Sequence, residues 1–284
     1  MNKSGSFWYY QKKATQRYGV DLAKEMIDNK KTEIEKSQFV IPRIEVVVTV
    51  RCNLRCVGCS HLMNNYANVY DINIDEILYH LEQLFACIDE CICVGITGGE
   101  PFLYPHLSTL FKYLCDNKKI SFVEINTNGT VIPRTVSYLK DPKVSVYISR
   151  YSTVKKTERL IEKFQNENVF YYYEDETQWV NYGNFENRHY RKSQQMQNYM
   201  ECMDAFLCKT LLKGRLYCCP RDAFASDLGI VSYNDYVDFD YISSPDALLA
   251  KLQAFYGKKY SNICNHCSFN ACNTPFIKSG IQLK

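Results

Sequence analysis

The chain has 284 residues, a formal net charge of +3, 23% charged residues and 46% hydrophobic ones. That length suits one sizeable domain with a smaller appendage, and the near-neutral balance offers no basic field of the kind that nucleic acid or an anionic membrane surface attracts. The opening MNKSGSFWYY lacks the apolar core of a signal peptide and no stretch approaches the ~18 apolar residues of a membrane span, so a cytoplasmic protein is expected. Its fourteen cysteines then read as metal or cluster ligands rather than a disulfide scaffold.

Residues 11–36 are polar with apolar residues at helical spacing, which predicts one or two surface helices. Short runs rich in Val, Ile, Phe and Tyr follow at Ile44 to Val50, Cys91 to Thr97, Phe122 to Asn126, Val144 to Ser149 and Val169 to Tyr173, and each reads as a buried strand. Between the first two, Ile77, Leu78, Leu81, Leu84 and Phe85 share one helical face, with Asn73 or Asp75 placed to cap its start. Leu107, Leu110, Phe111 and Leu114 repeat that spacing after the second strand, and Leu160, Ile161 and Phe164 after the fourth. Strand and helix in alternation imply parallel strands with crossover helices, hence an α/β fold of full or partial barrel type whose active site faces the strand C-termini. The alternation fails near residue 176. The expected division is an N-terminal helical segment at 1–40, the barrel at 41–195 and a Cys-rich C-terminal domain at 196–284.

The first strand runs directly into RCNLRCVGCSH, which puts Cys52, Cys56 and Cys59 in one loop. Soft thiolates suit iron–sulfur clusters and zinc, and three ligands are one fewer than a closed site needs. His61 could complete a zinc site; otherwise the open position is available to a cofactor or substrate.

This Cys-x3-Cys-x2-Cys loop after a first strand resembles the signature of the radical S-adenosylmethionine (SAM) superfamily. The resemblance implies a 4Fe-4S cluster whose fourth iron is chelated by the amino and carboxylate groups of SAM, and reductive cleavage of SAM to a 5′-deoxyadenosyl radical. It also implies a partial (β/α)6 TIM-like barrel and a reductant such as flavodoxin or ferredoxin. Gly98-Gly99-Glu100-Pro101, ending the second strand, is similar to the family's GGE motif, in which glycine lets the backbone approach the methionine amino group and Glu100 accepts from it. Asn126 and Asn128 end the third strand and Ser149 and Arg150 the fourth, where the resemblance implies contacts to the ribose and carboxylate of SAM. Arg150 reads equally as a structural ion pair. Gly58 departs from the family, which often has an aromatic residue before the third cysteine.

A second cysteine set lies near the C-terminus. Lys213-Gly214 reads as a hairpin turn from which Cys208 and Cys219 are equidistant, so pairing across the ladder would make them neighbours, with Cys218 on the opposite face. Cys264-x2-Cys267 supplies two more thiolates, with Cys202 and Cys272 in reserve. The arrangement resembles the small hairpin-and-helix SPASM/Twitch extensions of radical SAM enzymes, which implies an auxiliary 4Fe-4S cluster on Cys208, Cys219, Cys264 and Cys267. A zinc ribbon is the alternative. Cys87, Cys91, Cys93 and Cys115 read as core residues, and His80, His106 and His189 as structural ones. Tyr151, Tyr182 and Glu174 are unranked candidates for a base.

The expected function is a radical SAM oxidoreductase that dehydrogenates a small molecule, a sugar or cyclitol, with the auxiliary cluster as electron acceptor. The alternatives are maturation of a ribosomally made peptide and, in a different class, a non-catalytic metal-binding module.

Overall fold

The computed structural model describes residues 3–151, 156–242 and 244–283. Helices α1 (Lys3–Tyr18) and α2 (Val20–Lys36) pack on each other and lead into β1 (Val40–Thr49), every residue of which is buried. Then come α3 (Ile74–Cys87), β2 (Glu90–Gly98), α4 (Leu107–Asp116), β3 (Ile120–Thr127), β4 (Val144–Tyr151), α5 (Thr157–Asn166) and β5 (Tyr171–Glu176). The three crossover helices bury the faces their periodicity predicts: Leu81 and Leu84 on α3, Leu110 and Phe111 on α4, Leu160 and Phe164 on α5. Asn73 caps α3 by accepting from Asp75 N at 2.8 Å.

Strands β1 to β5 pair in sequence order, each parallel to the next. The result is an α/β fold built on a parallel-dominated sheet, as expected. The chain then forms β6 (Gln178–Val180), α6 (Lys192–Glu201), α7 (Met203–Leu207), the hairpin β7 (Thr210–Leu212) and β8 (Arg215–Tyr217), and α8 (Pro220–Asp227). The remaining elements are β9 (Val237–Asp238), α9 (Pro245–Tyr256) and β10 (Phe276–Lys278). Strand β7 pairs parallel to β1 on the edge opposite β2, and β8 and β9 extend that edge antiparallel. The sixth parallel strand is thus supplied by the Cys-rich region rather than by a sixth βα repeat. Strands β6 and β10 form a separate antiparallel pair. Among the described residues no helix is long and apolar enough to cross a membrane.

On one face of the sheet, Arg43 and Glu45 interrupt the apolar run of β1 at a spacing of two, so both point the same way. In register across the sheet, Glu45 faces Gly95 of β2 and Gly95 faces Glu124 of β3. A Cβ on Gly95 would lie 2.5 Å from Arg43 Nη2 and 2.6 Å from Glu45 Oε2, so glycine makes room for the charges. Arg43 binds Glu45 at 2.6 Å and Glu124 at 2.5 Å, while Lys13 of α1 also pairs with Glu124 and Tyr9 of α1 accepts from Arg43 at 2.8 Å. Helix α1 is thereby ionically tied to the interior of the sheet.

Burial alone would raise the Glu124 pKa, but Arg43 and Lys13 outweigh it and hold the carboxyl well below the usual range. A lowered native pKa adds stability that is complete above the ordinary carboxylate range and drains away as pH falls through the lowered one. Glu124→Gln should therefore cost about 3–5 kcal/mol at neutral pH by leaving Lys13 buried and unpaired. Denaturant unfolding at neutral and acidic pH should show the gap to wild type narrowing in acid.

Candidate functional site

The loop after β1 carries Cys52, Cys56 and Cys59, and the loop after β2 runs beside it. Gly99 N donates to Thr49 O at 2.9 Å and Glu100 N to Arg51 O at 2.8 Å. A Cβ on Gly98 would approach Thr49 O to 2.3 Å, and one on Gly99 would approach Arg51 O to 2.2 Å. Both glycines are therefore required by this contact between loops as well as by any ligand above them.

Glu100 is fully buried and is put to a different use from the ligand contact expected of it. Its Oε1 accepts from Thr127 Oγ1 at 2.8 Å and Phe102 N at 3.1 Å, and its Oε2 from Asn128 N at 2.8 Å. Burial pushes this carboxyl up to about 7 against the pull of those donors. The side chain clamps the end of β3 to the loop after β2. Asn128 reaches onward to Asn53 at 3.2 Å and lies 3.8 Å from Cys52 Sγ, linking β3 to the cysteine loop. His61 is held on Gly98 O at 2.8 Å and stacks on Phe224.

These loops open onto a cavity of about 530 Å³ lined by Cys52, Cys56, Cys59, Gly98, Gly99, Asn126, Asn128 and Ser149. Arg150 is not among the lining residues. Strand alternation turns Ser149 inward and Arg150 outward, where Arg150 pairs with the exposed Asp175 at 2.6 Å and lies over the Tyr173 ring. The structural ion pair is the alternative the geometry favours.

Further inward positions complete the wall, among them Tyr147, which sequence reasoning passed over. Register aligns Asn126, Tyr147 and Tyr172 in one row, Ser149 with Glu174 in the next and Tyr151 with Glu176 in the last. Tyr147 OH donates to Glu176 at 2.6 Å. Arg43, Glu45 and Glu124 also line the cavity, and Glu45 Oε2 has no hydrogen-bond partner. The available signal was the pair Arg43-x-Glu45 at strand spacing inside an apolar run.

A second, smaller cavity is lined by Cys202, Cys218, Cys219, Cys264 and Cys267. Cys208 is not there; it lines the first cavity. The hairpin has the expected register, Thr210 opposite Tyr217 and Leu212 opposite Arg215, but the ladder stops at Thr210 and Tyr217. Cys208 ends α7 and Cys219 caps α8, so the two diverge beyond the last paired residues. Cys272 is exposed, and His266 is spent on Phe185 O and Tyr233. No three His, Cys, Asp or Glu side chains among the described residues converge on a single-ion site.

Tyr182, Asp204 and Arg221 line both cavities. Tyr182 donates to Asp204. Arg221 is buried against the Phe185 ring, gives one hydrogen bond to Gly183 O at 2.7 Å and leaves Nε without a partner. Lys209, also buried, donates only to Tyr199 OH and Ala205 O; burial lowers its pKa while Cys218, Cys219, Cys264 and Cys202 oppose that shift. Neither cation has a carboxylate partner among the described residues.

Residues 46–170 match the family model of the Radical SAM superfamily. A GTP 3′,8-cyclase of Campylobacter jejuni subsp. doylei is 36% identical over 113 residues, covering 38% of this chain and 34% of that protein. The antilisterial bacteriocin subtilosin biosynthesis protein AlbA of Bacillus subtilis is 27% identical over 149 residues, covering 50% of this chain and 31% of that protein. The chain thus spans about a third of the length of the curated relatives it matches. A crystal structure of BtrN in complex with AdoMet and 2-DOIA aligns with TM-score 0.48 and 16% identity, over 80% of this chain and 92% of that one.

The two acidic and basic positions of the motifs should separate cleanly by substitution. Glu100→Gln presents an amide to a backbone donor and should cost about 1–3 kcal/mol, whereas Arg150→Ala, which breaks a surface pair, should stay within about 1 kcal/mol of wild type. Guanidinium unfolding of each variant measures both.

Proposed function

We propose, from the match of residues 46–170 to the Radical SAM superfamily model, that this chain is an enzyme that cleaves SAM reductively and dehydrogenates a small polar substrate, a sugar or cyclitol. Cys52, Cys56 and Cys59 would hold a 4Fe-4S cluster, since three soft thiolates share one wall of the cavity. Gly98, Gly99, Asn126, Asn128 and Ser149 border the same space and would receive SAM.

For the auxiliary cluster we propose Cys202, Cys219, Cys264 and Cys267, with Cys218 as the neighbouring thiol of the same cavity. Cys208 leaves the set because it faces the first cavity. The two buried cations beside these cysteines support an anionic group there: Arg221 and Lys209 lack carboxylates, and a buried charge without a counter-charge is costly. Four thiolates around an iron–sulfur core supply that negative charge. Bound at their two sites, these groups provide a 5′-deoxyadenosyl radical to take a hydrogen atom from carbon and an acceptor for the electron left behind, with flavodoxin or ferredoxin as external reductant.

The protein's own part is binding and proton transfer. Glu174, Glu176 and Asp204 line the first cavity without cationic partners among the described residues, and their remaining lone pairs suit a substrate that presents hydroxyl or ammonium donors. Asp204, oriented by Tyr182, is the proposed acceptor of the hydroxyl proton. The observation that carries the reading is the wall of Tyr182, Asp204 and Arg221 common to both cavities, because a substrate touching it lies beside the proposed electron acceptor.

Anaerobic reconstitution should give about eight irons per chain, and dithionite with SAM should yield 5′-deoxyadenosine; no nucleoside product would sink the enzyme reading. Cys56→Ala should abolish that product. Cys264→Ala should reduce the iron to about four per chain and Cys208→Ala should keep about eight; the reverse pattern would restore Cys208 as a ligand. Mass spectrometry of a panel of cyclitols, amino sugars and short peptides should show loss of two hydrogens from a polyol, and the same loss confined to a peptide would favour peptide maturation.

A further inference from the structure

Residues 276–283 run as a strap across the cysteine loop. Strand β10 is anchored on β6, with Ile277 opposite Trp179, and Ser279 N donates to Thr177 O at 3.2 Å. Beyond it, Val57 N donates to Ile281 O and Leu283 N to Arg55 O, each at 2.7 Å, so Cys56 and Gln282 form an antiparallel bridge. The Ile277 side chain fills the space over Gly58, whose φ is +70°; a Cβ there would lie 2.2 Å from Ile277 Cδ1. Glycine before the third cysteine is thus explained by a residue more than two hundred positions away.

The Gln282 side chain is fixed at both ends. Its Oε1 accepts from Arg55 N at 2.8 Å, and its Nε2 donates to Gly280 O at 2.9 Å and to Cys56 Sγ at 3.1 Å. The last contact is short for a donor to sulfur, and the Arg55 bond settles which end of the amide faces it.

We propose that Gln282 is a positioning residue that raises the reduction potential of the cluster held by Cys52, Cys56 and Cys59, by donating its amide N–H to the Cys56 sulfur. The inference rests on the reading of Cys56 as a cluster ligand. Reduction adds negative charge to the cluster and its sulfurs, so a fixed donor on one sulfur stabilises the reduced form more than the oxidised one. Because the donor arrives on a segment that also pairs with the backbone of residues 55 and 57, the strap holds the loop and tunes it with one set of contacts.

The test is an EPR-monitored redox titration of the reconstituted full chain, following the signal that changes when SAM is added. Gln282→Leu removes the donor, and Gln282→Glu keeps the acceptor for Arg55 N while replacing the donor with an anion. Both midpoints should be more negative than wild type, the glutamate variant's the more so, with iron content unchanged. Wild-type midpoints in both variants at full iron loading would overturn the proposal. Should either variant fail to load iron, pulsed EPR of wild-type protein carrying 15N in its glutamine side-chain amides decides instead. Hyperfine coupling to the SAM-sensitive signal is expected, and its absence would equally overturn the proposal. A wild-type protein that shows no SAM-sensitive cluster signal would refute the underlying reading instead.

Discussion

Two backbone hydrogen bonds, from Gly99 N to Thr49 O and from Glu100 N to Arg51 O, draw the loop after β2 against the loop that carries the three cysteines. Much of the rim follows from that contact. At this separation no side chain fits at 98 or 99, so both positions are glycine. Drawing the loops together also sinks Glu100 completely, and a buried carboxylate needs donors. It finds them in Thr127 and in the backbone of Phe102 and Asn128, which fixes the end of β3 in turn. Asn128, so held, reaches the cysteine loop through Asn53. Three successive strand ends are locked by a single close approach, which makes the site's geometry a property of the sheet rather than of mobile loops.

The interior of the sheet is charged where apolar packing would be the simpler solution. Arg43, Glu45, Glu124 and Lys13 form a nearly dry network whose carboxylate, Glu124, serves two cations. Such networks contribute little net stability, because desolvation offsets the attraction, but breaking one is costly. The consequence is specificity of assembly: α1 is bound to the sheet through Lys13 and Tyr9, and Gly95 is committed to leaving the network room. It also gives the cavity a charged stretch of lining, with one carboxylate oxygen of Glu45 left unsatisfied.

How much of this could be read beforehand depended on the range of the interaction. The five parallel strands and three crossover helices are carried by local periodicity, and they were legible with ends shifted by a few residues. The short strands β6, β9 and β10 carry too little pattern to register, whereas the turn at Lys213-Gly214 gave away β7 and β8. Arg150 was ambiguous because inward and outward differ by one residue, and only the cross-strand register decides it. The pairing of Cys208 with Cys219 followed correctly from the hairpin turn, yet it assumed a ladder longer than the one formed. Gly58 could not be explained at all, since Ile277 comes from the far end of the chain. The network around Arg43 was visible as two charges at strand spacing, a signal overlooked because strand detection rewards the apolar residues around them.

The wall between the two cavities gathers these features into one arrangement. Glu174 and Glu176 line the first cavity alone, Asp204 and Arg221 border both, and Lys209 lies near the second set of cysteines; among the described residues the acids have no cation and the cations no carboxylate. Removing two electrons and two hydrogens from an alcohol through a carbon radical leaves a proton and an electron to be disposed of separately. Unpaired acids favour accepting the proton, and buried cations stabilise a site that becomes more negative on accepting the electron. On the proposed function, a shared wall that carries both a carboxylate, Asp204, and a buried cation, Arg221, serves the proton and the electron separately. A redox-inactive zinc ion on the same thiolates would also offer the buried cations negative charge, but it could not take up the electron.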